Sequence, residues 1–137
     1  MSDSPYERVV AGLRGEAHLT VRDIHLATHV GSGSVDVLAT PEMICLMEQA
    51  AVAAVDHLLP DGDSTVGIHL DVSHLAATPP GMQVTATAEL TVVDGRKLEF
   101  RVEAHDEREL IGRGTHRRMI VHLERFRAGV QRKSTGR

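Results

Sequence analysis

Residues 40–63 read TPEMICLMEQAAVAAVDHLLPDGD. Thr40-Pro41-Glu42 has the chemistry of a helix start: a hydroxyl that can cap free amides, a proline where no amide donor is needed, and an acid at the positive end of the dipole. Met43, Ile44, Met47, Ala50, Ala51, Ala54, Val55 and Leu58 then recur at helical spacing until Pro60-Asp61-Gly62-Asp63 stops the run. This predicts one helix of about 18 residues. Glu42, Gln49 and Asp56 recur every seven residues and mark its solvated stripe. Most of the remaining circumference is apolar and needs a cover.

On both sides of this segment the period changes to two. Before it, Ala17, Leu19 and Val21 alternate with Glu16, His18 and Thr20, which predicts a strand over 16–24. After it, Ile68, Leu70 and Val72 share one strand face until Thr78-Pro79-Pro80-Gly81. Val84, Ala86, Ala88, Leu90 and Val92 face one way in the next strand, and Asp94-Gly95 marks a hairpin turn. Leu98, Phe100, Val102 and Ala104 alternate with charged residues in a third. A last strand is expected over 110–123, where Gly112 and Gly114 suggest a bulge or a close backbone approach. One strand, one long apolar helix, then antiparallel strands is an α+β order. A sheet that wraps one central helix is the hotdog layout.

Composition narrows the function. With 137 residues there is room for one domain. Aromatics are 2% of the chain, so base-stacking platforms are nearly absent, and a net charge of −4 gives no attraction to phosphate backbones; nucleic acid is not an expected partner. No apolar run reaches the roughly 20 residues of a membrane span. Met1 to Tyr6 lacks the layout of a signal peptide, and the single Cys45 cannot form an intramolecular disulfide. A cytoplasmic location is expected. The expected boundaries are an N-terminal arm over 1–13, the hotdog domain over 14–126 and a basic tail over 127–137.

Three residues break the pattern. Glu48 has Ile44, Cys45, Ala51 and Val52 as helix neighbours and lies off the polar stripe. It is either a rim carboxylate that reaches solvent or a member of a polar site, since an unpaired carboxylate there is costly to ionise. His74, counted by twos from Ile68, falls on the apolar face, as either a satisfied core residue or an acid-base group. Thr40 is either only the N-cap or also a hydroxyl at a helix start where acyl oxygens are stabilised.

Other groups carry less. His69 and Asp71 share a strand face without a third ligand, so no metal is expected. His116-Arg117-Arg118 gathers cations that would suit either a solvated face or phosphate binding. There is no Gly-Xaa-Ser-Xaa-Gly elbow, phosphate loop or dinucleotide fingerprint, and no cofactor is expected.

Leu46-Met47-Glu48, eight residues after Thr40, followed by Gly67, by Val72-Ser73-His74-Leu75-Ala76-Ala77-Thr78-Pro79-Pro80-Gly81 and by Gly112-Xaa-Gly114-Thr115-His116, resembles the fluoroacetyl-CoA thioesterase family of hotdog proteins. The similarity covers about residues 38–126. It implies a homodimer that hydrolyses an acyl-CoA with a Thr, Glu and His triad, carried over as Thr40, Glu48 and His74. It also implies that backbone near Gly67 holds the acyl group or its oxyanion. Arg117 and Arg118 are candidate contacts for the coenzyme A phosphates. The family's fluoroacetyl-specific enzyme has phenylalanines over its pocket, whereas Val30 to Leu38 here has Gly31, Ser32, Gly33 and Ser34 and no aromatic. A lid of small residues implies a broader range of short acyl groups. The same fold also hosts hydratases or dehydratases of acyl thioesters and non-catalytic acyl-CoA binding modules, which are the alternatives.

Overall fold

The computed structural model describes residues 4–136, so the first three residues of the expected arm and Arg137 of the expected tail lie outside the described residues. Strand β1 (Arg14–Thr20) leads through a 3-10 turn to a short helix, α1 (Ala27–Val30), and then to the long helix α2 (Thr40–Val55). Strands β2 (Asp63–His74), β3 (Gln83–Asp94), β4 (Lys97–His105) and β5 (Leu110–His122) follow, and helix α3 (Leu123–Ser134) ends the chain. The strands make one antiparallel sheet in the order β1-β3-β4-β5-β2. This is the hotdog fold.

The core is the apolar side of α2 against the inner face of that sheet. Met43, Leu46, Met47, Ala50, Ala51, Ala54 and Val55 are buried on the helix, and Val84, Leu90, Leu98, Phe100 and Val102 meet them from the strands. Small residues set how closely the sheet curls. A Cβ on Gly15 of β1 would collide with the Ala50 carbonyl, so glycine facing the Ala50/Ala54 ridge brings strand backbone directly onto helix backbone.

Four details differ from the expectations. Thr40 is the first helical residue, not the cap: Ala39 holds the N-cap position and no side chain caps the helix. The hydroxyl is left for another partner. The polar stripe is only partly solvated, because Glu42 and Asp56 are half-buried while Pro41, Cys45, Gln49 and Val52 form the open face. Three bulges break the period of two. One between Gly67 and His69 displaces Ile68, which is 47% exposed, and one between Leu90 and Val92 turns Val92 outward. The third lies between Ala104 and His105, where β5 carries the extra Ile111 beside Gly112. Finally, β1 stops at Thr20, where the chain turns away, and the expected basic tail is helical from Leu123, so a boundary after residue 126 falls inside α3.

The turn and glycine expectations hold. Gly95 takes φ +60 at the first position of the two-residue turn between Asp94 and Lys97, a backbone that suits glycine. A Cβ on Gly112 would lie 2.5 Å from the Met43 sulfur, and one on Gly114 would enter the Asp71 carbonyl, so both mark close approaches. The N-terminal arm packs against the domain: Val9 is buried and the Tyr6 hydroxyl donates to Asp63 at 2.8 Å.

Candidate active site

The start of α2 and the end of β2 come together at one corner. Because Thr40 does not cap its helix, its hydroxyl lies 2.7 Å from His74 Nδ1. The Gly67–His69 bulge resets the alternation so that Leu70, Val72 and His74 pair with His116, Gly114 and Gly112 of β5, and His74 points inward. Its Nε2 is buried without a hydrogen-bond partner among the described residues. Burial holds the His74 pKa below its ordinary 6.5, with the backbone of Ala76 working in the other direction. The imidazole is therefore neutral at pH 7 and able to accept a proton.

This pair borders a cavity of about 410 Å³ lined by Ser32, Gly33, Ser34, Val35, Thr40 and His74, among others. The small-residue lid segment forms its wall and is tied at both ends. Ala27 N–H donates to the Val37 carbonyl, Leu38 N–H to that of Thr78, and the Thr28 hydroxyl to Asp36 at 2.7 Å.

Two turns further along α2 is a second polar corner. Glu48 has 37% of its side chain exposed and accepts from Arg118 Nη1 at 3.2 Å. His116 Nε2 is 3.8 Å from the same carboxylate oxygen. His116 is fully buried and donates from Nδ1 to the His69 carbonyl at 2.8 Å, so its Nε2 lone pair receives Arg118 Nη1 at 3.2 Å. Burial is the first cause that holds the His116 pKa below 6.5, and Arg118 adds to it. A Cβ on Gly67 would lie 2.5 Å from Glu48 Oε2, so glycine leaves the carboxylate its place.

The structure brings Thr40 to His74, and Glu48 to Gly67 and Arg118, but it does not join the two groups. Thr40 and Glu48 are eight residues apart, about 12 Å along the helix axis. Arg117 and Arg118 also separate. Arg118 is buried and directed inward, whereas Arg117 faces out and pairs with Glu99 at 2.8 Å. Sequence reasoning missed the roles of His116 and Thr65 beside Glu48. A signal existed: His116, Arg118 and Ile120 alternate on β5, which places two polar side chains on the inner face.

The family model described as fluoroacetyl-CoA-specific thioesterase matches residues 21–124. The chain belongs to this family. A curated fluoroacetyl-CoA thioesterase from Streptantibioticus cattleyicolor is 45% identical over 117 residues, covering 85% of this chain and 84% of the relative. A solved fluoroacetyl-CoA thioesterase structure superposes with a TM-score of 0.86 at 41% identity, over 90% of this chain and 96% of that one. A variant of that enzyme solved with acetyl-CoA gives a TM-score of 0.85 at 41% identity, over 90% and 98% of the two chains. A thioesterase superfamily member from Thermus thermophilus, 27% identical, reaches 0.86 over 93% and 94%. The protein is accordingly a thioester hydrolase with the hotdog fold. None of its described helices is long and apolar enough to cross a membrane.

Proposed function

We propose that this thioesterase hydrolyses short-chain acyl-CoA to the acid and coenzyme A in the cytoplasm, as a homodimer that uses Thr40, Glu48 and His74. The observation that carries this reading is the 2.7 Å contact of Thr40 with a neutral, half-buried His74 at the edge of an acyl-sized cavity. Water adds to the thioester carbonyl as Glu48 takes its proton, and the tetrahedral oxyanion is stabilised by the Thr40 hydroxyl and by backbone near Gly67. The C–S bond then breaks and the thiolate leaves with the proton that Glu48 took from water, which returns Glu48 to its carboxylate. In the variant scheme Glu48 attacks first and forms an anhydride. In one turnover in ¹⁸O-water, unlabelled acid together with ¹⁸O in the Glu48 carboxylate can arise only through an anhydride opened at the Glu48 carbonyl.

The dimer supplies what one chain lacks. Strand β2 is an edge of the sheet that carries exposed Ile68 and Leu70, beside the open α2 face with Val52. In this reading the two edges pair, and the Thr40–His74 pair of one copy works with Glu48 of the other. Arg117 keeps the expected role toward coenzyme A phosphates, whereas Arg118 is assigned to Glu48 because three of its nitrogens are already engaged inside. Arg117→Ala should raise KM for acyl-CoA and spare a short thioester without the nucleotide.

A fluorinated acetyl group should not be strongly preferred, because the wall over 31–35 has no aromatic side chain. The test is thiol release from fluoroacetyl-, acetyl-, propionyl-, butyryl- and phenylacetyl-CoA by intact protein and by Glu48→Gln. Turnover of several short substrates that depends on Glu48 supports the reading. No turnover on any of them would favour a binding module instead.

A further inference from the structure

Beyond the triad, a chain of hydrogen bonds runs from the far end of α2 back to Glu48. Asp56, just after the helix, accepts from the Thr65 hydroxyl at 2.7 Å and from the Ser64 hydroxyl at 3.2 Å. Because the Thr65 hydroxyl hydrogen is committed to Asp56, its oxygen lone pairs face Arg118, and Nε donates to them at 2.9 Å. Arg118 Nη2 donates to the Thr65 carbonyl at 3.0 Å, so this one residue fixes two edges of the guanidinium. Nη1 is the nitrogen that serves Glu48 and His116, each at 3.2 Å. Both Thr65 and Arg118 are 6% exposed, so little solvent competes for these bonds.

We infer that Thr65 and Asp56 are positioning residues for the thioesterase reaction: they lock the Arg118 guanidinium in the one orientation that holds the Glu48 carboxylate over Gly67. This rests on the assignment of Glu48 as the residue that meets the reacting carbonyl. A planar fork anchored on two sides moves Glu48 as a rigid arm would, and a displacement of about 1 Å at a reacting group can cost on the order of a hundredfold in rate. Neither residue faces the 410 Å³ cavity, so the effect belongs to kcat and not to substrate binding.

The test is steady-state kinetics on acetyl-CoA with the full chain. Thr65→Val keeps the shape and removes the hydroxyl; it should lower kcat about tenfold with KM changed less than about twofold, and Thr65→Ser should restore it. Asp56→Ala, which frees the hydroxyl hydrogen, should lower kcat about threefold and serves as the second probe if Thr65→Val does not fold. In a Glu48→Gln background both should leave the residual rate unchanged, because a positioning role has nothing left to position. Unaltered kcat in the folded variants, or the same fractional loss with and without Glu48, would overturn the inference. Full activity in Glu48→Gln alone would instead overturn the assignment of Glu48.

Discussion

The two polar corners of the site are built in opposite ways. At Glu48 every neighbour is committed: Arg118 donates to three partners, His116 is tied to the His69 carbonyl, and Thr65 to Asp56. At Thr40 and His74 there is one 2.7 Å contact, an exposed threonine and a buried nitrogen without a partner among the described residues. The first corner is held within the one chain and fixes a carboxylate. The second is left open toward the cavity and has donors and acceptors to give. A satisfied network fixes the carboxylate, and an unsatisfied pair is left free to meet a ligand.

This contrast can be broken from either side. Removing the charge at the fixed corner with Glu48→Gln should lower kcat by about a thousandfold, and His74→Ala at the open corner by about a hundredfold, within the usual range for acid-base groups. Thiol release under saturating acyl-CoA measures both. Gly67→Ala should cost roughly ten- to a hundredfold in kcat, since its methyl would stand 2.5 Å from Glu48 Oε2. Comparing its KM with wild type checks that the loss is one of positioning.

Stability should show the opposite ranking. Arg118→Leu removes donors from Glu48, His116 and Thr65 and should cost about 2 kcal/mol in urea unfolding, whereas Thr40→Ala should stay within roughly 0.5 kcal/mol. The smallest effect is one of pH. His74 and His116 both have pKa values held below 6.5 in the folded chain, so below that pH the unfolded chain binds more protons. Stability should be level above pH 6.5 and fall as pH drops through 6.5 toward the lowered folded values. The unfolding midpoint measured from pH 8 to pH 5 checks this, and His116→Gln should flatten the slope.

Much of the fold was legible because periods of 3.6 and 2 are set by local geometry. The α2 core residues and the Leu98–Ala104 alternation follow from that alone. Gly112 marked the bulge at Ile111, but the one at Ile68 was not legible, since its extra residue depends on how two strands meet and not on either strand's own pattern. Thr40, Glu48 and His74 stood out as polar residues in apolar or capping positions. Thr65 did not, because a threonine in a strand is ordinary until Asp56 and Arg118 are placed on either side of it. The helix over 123–134 escaped because it has no buried residue to give it a period.

The most direct test of the account is a mixing experiment between two inactive variants, Glu48→Gln and His74→Ala, co-expressed and assayed for thiol release from acetyl-CoA. If the corners meet across a dimer, each mixed dimer holds one intact site, built from the His74 of one copy and the Glu48 of the other. Half the dimers are mixed under random pairing, so activity should return to about a quarter of wild type. Recovery of none would contradict the account.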